Sequence, residues 1–267
     1  MNKVQYRKDH LVELVYEKGE MPIAAIAELY NISFPSVRRL CAQLEKEGRI
    51  IRIHGGIRPL QVKKSGYKFE IIDAEYAKEK ADIANYAISL VENRQSIFIE
   101  SGTTIKQFAL ALAERLRAGE LSDVVIFTNS MVNLEILQSV CKVIVIGGLY
   151  RPERRDFCGF LGEKLIRSLR FDMCFIGADG ISLESGVMAL DTETAHLDEL
   201  LIKNSEKTIL LINSKKFSKN SLIPYCSVKD IQLIVTDSKL SQQIRNDYQN
   251  AGVDVVCVDT VNSERSP

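Results

Sequence analysis

The chain has 267 residues, of which 46% are hydrophobic and 26% charged, which is typical of a globular protein of about two domains and excludes a disordered, collagen-like or largely coiled-coil chain. No apolar run approaches the roughly 20 residues of a membrane-spanning helix, and the polar residues 1–8 predict a cytoplasmic protein without a signal peptide. The net charge is zero, but residues 1–68 carry 13 basic and 7 acidic side chains and the remainder 22 and 28, so we expect the first part to bind a polyanion.

The first 58 residues predict three helices. Apolar side chains recur at helical spacing in each of them, and Pro, Ser and Gly stand where helices begin and end. The predicted bounds are residues 6–16 before Gly19, residues 23–30 after Pro22, and a third helix from the N-cap residue Ser33 to about Glu47 before Gly48. The last two helices, joined by a tight turn, are typical of a helix-turn-helix.

The third helix is the predicted recognition helix, which enters the major groove of DNA. A guanidinium there can hydrogen-bond a guanine edge, and the exposed N–H groups of a helix start can bind phosphate. We therefore predict DNA contacts from Ser33, Phe34, Pro35, Ser36, Arg38 and Arg39. The alternative is a helical hairpin whose two arginines are only solvated.

The residues after the third helix predict a β-hairpin, or wing. Two sets of side chains alternate there, Arg49, Ile51 and Ile53 with Ile50, Arg52 and His54, and two glycines then turn the chain. Such a hairpin can place basic side chains against the DNA backbone or in the minor groove. We predict DNA contacts from Arg49, Arg52, His54 and Gly55.

These residues match a known signature. The run S-x-x-S-V-R-R from Ser33, followed by L-E-x-x-G-x-I-x-R-x-H-G-G from Leu44, resembles the DNA-binding signature of the DeoR family of bacterial transcription regulators. The resemblance implies a winged helix-turn-helix in a regulator, commonly a repressor, of a sugar or carbohydrate catabolic operon. The family usually has Asp after the arginine pair, where this chain has Leu40. This difference affects how the two arginines are oriented and which operator sequence they recognise.

Residues 59–72 predict a linker, residues 73–260 a second domain and residues 261–267 a tail. In the second domain, short apolar strands alternate with helices, which predicts a mostly parallel α/β sheet. The predicted strands cover residues 96–99, 124–127, 142–146, 173–176, 208–212, 233–236 and 253–258. The predicted helices cover residues 77–91 and 195–204, with others ending near residues 116 and 138.

Polar and glycine-containing turns follow several of these strands, at the edge where open α/β sheets bind ligands. The turn Ser101-Gly102-Thr103-Thr104 has the composition of a phosphate site, because Gly permits close approach and both threonine hydroxyls can donate hydrogen bonds. A Ser/Thr helix cap would have the same composition, so spacing alone leaves both open.

A second resemblance covers this domain. The blocks I-F-I-E-S-G-T-T, T-N-S, I-G-G, F-I-G-A-D-G and S-K-K-F resemble, in order, those of the DeoR effector domain, so the whole resemblance extends over about residues 6–237. It implies a fold similar to ribose phosphate isomerases and a phosphorylated sugar as effector. Asp179 would bind sugar hydroxyls, and Lys216 would supply a charge-assisted hydrogen bond. The effector-binding residues are then Glu100, Ser101, Gly102, Thr103, Thr104, Asn129, Gly148, Arg151, Asp179 and Lys216.

Two positions depart from the family pattern in this domain. Glu100 stands where Asp predominates, and Asn213 stands where Asp is usual before S-x-K. The first carboxylate reaches further by one methylene, and the second change removes a negative charge near Lys216. Both favour either a changed choice of sugar phosphate or a changed effector.

Three arginines follow the I-G-G block. We predict that Arg151 helps to neutralise the charge of the effector. Arg154 and Arg155 are predicted to be solvated loop side chains.

Two other functions are compatible with parts of the sequence. A sugar-phosphate isomerase could use Glu100 and Asp179 as an acid/base pair and Lys216 to stabilise an enediolate, but it would not need residues 1–58. A protein-binding first domain would not need the arginine pair and the wing. We therefore predict no catalytic residues, no cofactor, and a homodimer or homotetramer that binds paired half-sites in double-stranded operator DNA.

The six cysteines are scattered and form no C-x-x-C pair. This pattern predicts neither a disulfide framework nor a metal site. We expect them to be small buried hydrophobic residues in a reducing compartment.

Overall fold

The computed structural model describes residues 3–18, 20–47, 49–59 and 67–259. The chain divides into two compact units, Met1–Ser65 and Gly66–Pro267. The predicted helix-ending Gly19 and Gly48, most of the first half of the predicted linker and the predicted tail lie outside the described residues.

The described part of the first unit is a winged helix-turn-helix. Its elements are α1 (Lys3–Lys18), β1 (Met21–Pro22), α2 (Ile23–Tyr30), α3 (Phe34–Lys46), β2 (Ile50–Ile53) and β3 (Gly56–Pro59). Asn31 adopts a left-handed conformation, with φ 49°, and so ends α2 and turns the chain into α3. The strands form an antiparallel sheet in the order β1-β3-β2, with Ile53 opposite Gly56 across the wing turn.

Each main element of the first unit contributes to one small core. Leu11 of α1, Ile26 of α2, and Val37 and Leu44 of α3 are fully buried, and Ile50 of β2 is 2% exposed. The apolar stripes that predict the helices therefore face one another, and the remaining faces of α3 are left for solvent or a partner.

The second unit consists of a central sheet, two smaller sheets and surrounding helices. Its helices are α4 (Phe69–Ala74), α5 (Ala77–Ala87), α6 (Thr103–Arg117), α7 (Met131–Leu137), α8 (Phe160–Ile166), α9 (Thr192–Lys203) and α10 (Gln242–Asn250). Its strands are β4 (Ser96–Ile99), β5 (Val125–Thr128), β6 (Lys142–Val145), β7 (Leu149–Arg151), β8 (Asp156–Cys158), β9 (Phe171–Ile176), β10 (Gly180–Ser182), β11 (Gly186–Ala189), β12 (Ser205–Leu211), β13 (Ile223–Cys226), β14 (Leu233–Asp237) and β15 (Val255–Val258).

The central sheet is parallel and has the strand order β15-β14-β12-β9-β4-β5-β6. The chain proceeds from β4 towards one edge and returns to lay β9 on the other side of β4. The strand order therefore reverses between β4 and β9. In open α/β sheets, ligands bind beyond the carboxyl ends of the strands at such a switch point.

The two faces of the central sheet have separate cores. On β4, Ile97 and Ile99 lie in the cluster that contains Phe108 of α6, whereas Phe98 lies in the cluster that contains Leu201 of α9. All five side chains are fully buried. Burial on both faces explains why these strands are continuous apolar runs in the sequence.

Several short elements are absent from the sequence-based prediction. The β7–β8 hairpin, the sheet β10-β11-β13, and helices α4, α8 and α10 all fall in segments without clear periodicity. Helix α4 lies partly within the range predicted as linker, and its first residue, Phe69, is 3% exposed. The central strands and major helices agree with the prediction to within a few residues.

None of the helices in the described part of the chain is long and apolar enough to cross a membrane. All six cysteines are free thiols. Three are buried and three are half-buried, namely Cys141, Cys226 and Cys257, so burial is less complete than predicted.

Candidate functional site

The recognition helix α3 has one buried and one exposed face. Val37 and Leu40 are buried, whereas Arg38 and Arg39 are exposed and Phe34 is 54% exposed. Leu40, which stands where the family pattern has Asp, therefore belongs to the core of the first unit. The two arginines lie side by side in sequence on the accessible face, where DNA contact is possible.

Ser33 stands at the predicted N-cap position, but its bonding differs from the prediction. Its side chain makes no hydrogen bond to the helix backbone, and its Oγ lies 3.0 Å from Oγ of Ser36. The two hydroxyls satisfy each other, so the cap leaves the first N–H groups of α3 without a side-chain partner from Ser33. Ser33, Pro35 and Ser36 are all exposed.

Two predicted DNA-contacting arginines near the wing have acidic partners within the first unit. Nη2 of Arg49 lies 2.9 Å from Oδ1 of Asp9, and Nε of Arg52 lies 2.7 Å from Oε2 of Glu45. The hydrogen bond from Arg52 lowers the pKa of Glu45. These arginines would have to share or exchange their partners to bind DNA. The turn residues His54 and Gly55 are exposed.

At the switch point of the second unit, Glu100 joins the ends of β4 and β9. Its backbone N–H donates to the carbonyl of Phe175 (3.0 Å), and the N–H of Gly177 donates to its Oε2 (3.3 Å). Oγ of Ser101 lies 3.0 Å from Oε1 of Glu100 and 2.7 Å from Oδ2 of Asp156. Strands β4, β8 and β9 thus bring two buried carboxyls together.

The carboxyl of Glu100 holds its proton unusually tightly. Burial, and then the negative charge of Asp156, raise its pKa from 4.5 to about 8, although Arg154, Ser101 and the N–H of Gly177 oppose the shift. Burial and the proximity of Glu100 also raise the pKa of Asp198, which is 1% exposed. At neutral pH the centre of the site therefore contains a neutral carboxyl, which can donate a hydrogen bond.

This shift predicts a pH-dependent stability. Between pH 4.5 and about 8 the folded protein holds a proton on Glu100 that the unfolded chain has lost, so the free energy of unfolding falls as the pH rises. One proton gives a slope of up to about 1.4 kcal/mol per pH unit. In urea unfolding across this range, Glu100→Gln should flatten the slope, whereas the exposed Glu92→Gln should not. An unchanged slope in Glu100→Gln would show that Glu100 is ionised.

The turn into α6 has the geometry expected of an anion site. Gly102 is the N-cap residue, with φ 154°, and it has no side chain with which to cap the helix. An added Cβ at Gly102 would lie 3.3 Å from Oε2 of Glu100. Thr103 is buried, Thr104 is half-buried, and the N–H of Lys106 donates to the carbonyl of Gly102 (2.8 Å). The first N–H groups of α6 thus face the site without a capping side chain.

Asn129 follows β5 and Gly148 follows β6, and the two residues have different structural roles. Nδ2 of Asn129 donates to the carbonyl of Phe157 (3.1 Å), while its buried Oδ1 has no hydrogen-bond partner. That oxygen is therefore an acceptor that the protein itself leaves unsatisfied. An added Cβ at Gly148 would lie 2.3 Å from the carbonyl oxygen of Cys158, so Gly148 permits the close approach of β7 and β8.

Arg151 is committed to ion pairs inside the protein. Its Nε and Nη2 contact the two carboxylate oxygens of Asp156 at 2.8 and 2.7 Å, and its Nη1 contacts Oδ1 of Asp191 at 2.7 Å. Burial alone would lower the pKa of Arg151, but the hydrogen bonds and charge of Asp156 raise it. The predicted role in neutralising the effector therefore competes with two internal carboxylates.

The prediction that Arg154 is a solvated loop residue is wrong. Its side chain is 8% exposed, its Nη2 lies 2.8 Å from Oδ2 of Asp191 and 3.6 Å from Oδ2 of Asp179, and its guanidinium lies 4.2 Å from the ring centroid of Tyr67. The β7–β8 turn directs it inward, which periodicity could not indicate. Arg155 remains on the surface and pairs with Glu135 at 3.0 Å.

Asp179 and Lys216, which were predicted separately as effector-binding residues, lie next to each other. Nζ of Lys216 lies 3.7 Å from Oδ1 of Asp179, and Oδ2 of Asp179 accepts from the N–H of Leu190 (3.0 Å). Burial lowers the pKa of Lys216, and the charge of Asp179 opposes that shift. Asn213 is 4% exposed and its Oδ1 accepts from the N–H of Lys215 (3.1 Å), so this departure serves a turn.

Sequence reasoning missed four charged or aromatic residues of the site region: Asp156, Asp191, Lys106 and Tyr67. Asp191 accepts from the N–H of Thr194 (2.9 Å) as the N-cap of α9, and burial alone would raise its pKa, but Arg154 and Arg151 lower it. The pattern D-T-E-T before a helix was an available capping signal for Asp191. Nothing local indicated the other three.

Comparisons with known proteins cover most of the chain. The model of the DeoR-like helix-turn-helix domain matches residues 7–61, and that of the DeoR C terminal sensor domain matches residues 75–238. A lactose phosphotransferase system repressor of Staphylococcus epidermidis is 30% identical over 89% of this chain and 93% of its own. The transcriptional regulator GolR of Listeria innocua is 26% identical over 93% of this chain and 96% of its own.

The structural comparisons match only parts of the chain. A ribose 5-phosphate isomerase from Plasmodium falciparum has a TM-score of 0.40 and 19% identity, with 54% of each chain covered. A D-ribose-5-phosphate isomerase in complex with phospho-erythronic acid also has a TM-score of 0.40, with 18% identity and 52% of each chain covered.

Proposed function

The chain belongs to the DeoR family of transcriptional regulators, and from this premise we propose that it represses a sugar-related operon by binding operator DNA until a phosphorylated sugar occupies its second domain. It is a regulator, so the isomerase alternative does not hold. We place DNA binding in residues 1–58, effector binding in residues 73–260, and the protein in the cytoplasm. The names of its relatives, which include a putative aga operon transcriptional repressor of Escherichia coli O157:H7 and the lactose repressor above, support a carbohydrate signal.

The observation that best supports a phosphorylated sugar as effector is the set of polar groups at the switch point between β4 and β9. The uncapped start of α6, the unpaired Oδ1 of Asn129 and the Asp179–Lys216 pair can bind a phosphate and sugar hydroxyls together. A neutral Glu100 adds a donor for a sugar oxygen. This combination of an anion site and mixed donors and acceptors fits a phosphorylated sugar better than an apolar ligand.

A thermal-shift screen of the full chain tests the effector. A sugar phosphate at about 100 times its dissociation constant should add roughly 2.7 kcal/mol to the free energy of unfolding, a shift of several degrees in Tm. The unphosphorylated sugars should give no shift. Thr103→Ala and Thr104→Ala should lose the shift, and the exposed Ser139→Ala should keep it. A shift that survives both threonine variants would contradict a phosphate site at α6.

We also propose that the protein is a homodimer or homotetramer. One helix-turn-helix gives little affinity, and paired half-sites require paired domains. The β7–β8 hairpin and α8 expose apolar side chains that a second copy could cover. They are Leu149 and Leu161, each 71% exposed, with Tyr150, Phe160 and Leu165.

A further inference from the structure

The segment that enters the second unit, residues 67–75, lies against the candidate effector site. The Tyr67 ring stacks on the guanidinium of Arg154, 4.2 Å away. Burial raises the pKa of Tyr67, the charge of Arg154 opposes that shift, and the charges of Asp179 and Glu100 add to it. Two residues further, the N–H of Phe69 donates to the carbonyl of Glu153 (2.9 Å). We call residues 67–75 the strap.

A carboxylate on the strap, that of Asp73, forms an ion pair with a lysine in the first turn of α6. Oδ2 of Asp73 pairs with Nζ of Lys106, whose backbone N–H closes the first turn of that helix on Gly102. The other oxygen of Asp73, Oδ1, is buried without a hydrogen-bond partner. Asp73 thus brings an incompletely satisfied negative charge to the turn that the proposed function assigns to phosphate.

Asp73 also lies within electrostatic reach of a second lysine, Lys80, which is buried. Lys80 is 2% exposed and donates from Nζ to the carbonyl of Ile72 on the strap. Burial lowers its pKa to about 8, Asp73 opposes that shift, and the charges of Lys216 and Lys106 add to it. The three lysines lie among three carboxylates, because Asp73 and Glu75 both oppose the shift of Lys80 and Asp179 pairs with Lys216. Of these groups, the Asp73–Lys106 pair stands at the start of α6, where the proposed function places the phosphate.

We propose that the strap is a latch, in which Asp73 holds Lys106 as an internal substitute for the anionic group of the effector, and that a phosphate displaces it. The proposal rests on the proposed function. A phosphate carries about −1.5 to −2 charges at neutral pH and three acceptor oxygens, so it competes well with one carboxylate for a partly exposed lysine.

Displacement of the strap would affect the DNA-binding unit through the covalent connection between the two units. The wing strand ends at Pro59, and Tyr67 is the first described residue of the second unit. With the strap released, the first anchored element becomes α5, which starts at Ala77. A longer connection between the two units lowers the effective concentration of a paired DNA-binding unit at its half-site, so release of the strap should weaken operator binding.

Inorganic phosphate, titrated into the full chain at constant ionic strength, tests the latch. Asp73→Asn removes the competitor and should bind phosphate several-fold more tightly, whereas Lys106→Gln should bind it several-fold more weakly. Glu70→Gln removes the same charge from an exposed position of α4 and should match the wild type. If the ion pair only supported the fold, Asp73→Asn and Lys106→Gln would change the affinity for phosphate in the same direction. That result would overturn the proposal.

Hydrogen exchange reports the movement directly. Saturating phosphate should speed exchange of the Phe69 amide in the wild-type protein, and Asp73→Asn should do so without phosphate. Slower exchange with phosphate would mean that the strap closes over the ligand, which overturns displacement. Phosphate binding that Asp73→Asn leaves unchanged contradicts the latch alone. Failure of phosphate and of every sugar phosphate to bind the wild type contradicts the proposed effector function itself.

Discussion

The double variant Arg38→Ala/Arg39→Ala should bind operator DNA at least about 100-fold more weakly than the wild type. Both arginines are exposed on α3, and a bidentate contact to a guanine edge is worth about 1–3 kcal/mol. An operator selected from random duplexes by the wild-type protein provides the DNA, and binding is measured at several salt concentrations. Arginines that contact only phosphate would weaken all duplexes alike and reduce the salt slope by about 1 each.

The same variant should keep its stability and its thermal shift with sugar phosphate. The core of the first unit uses Val37, Leu40 and Leu44 of α3, which the substitutions leave in place. Lys46→Gln, at the last turn of α3, removes a charge away from the start of the recognition helix and serves as a matched control. Equal loss of operator and effector binding in the double variant would contradict the assignment of the two activities to different units.

The second large effect concerns the stability of the second unit. Arg151→Leu should lower the free energy of unfolding by about 3–5 kcal/mol, because it leaves Asp156, which is fully buried, and Asp191 without their shared partner. For a unit of this size the loss corresponds to a fall in Tm of roughly 10 °C. Differential scanning calorimetry of the full chain measures it.

Arg155→Leu provides the comparison, because it removes the same charge from the same hairpin. Its ion pair with Glu135 joins side chains that are 33% and 51% exposed, so its loss should cost at most about 1 kcal/mol. If Arg151→Leu kept the wild-type Tm but lost the effector shift, Arg151 would be a ligand-binding residue rather than the centre of an internal ion-pair network.

The sequence by itself determined the order of the major elements and the resemblance to the family. Helices α2 and α3 and strand β4 have local signals, such as apolar spacing, Pro and Ser at helix starts, and short apolar runs, and these agree with the structure within a residue or two. The motif residues after the strands were also visible, since parallel strands align their carboxyl ends at one edge of the sheet. Local chemistry was sufficient for these features.

Only the tertiary structure decided which charges pair. Arg154 turns inward to Asp191, Arg151 is bound by Asp156, and Asp73 reaches Lys106 on another helix. These contacts join residues from different elements, and their energies depend on burial that a linear pattern does not encode. The raised pKa of Glu100 has the same origin, because it follows from burial beside Asp156 where β4 and β8 meet. A sequence pattern specifies the local fold, whereas the electrostatics of the site arise from the distances that folding creates.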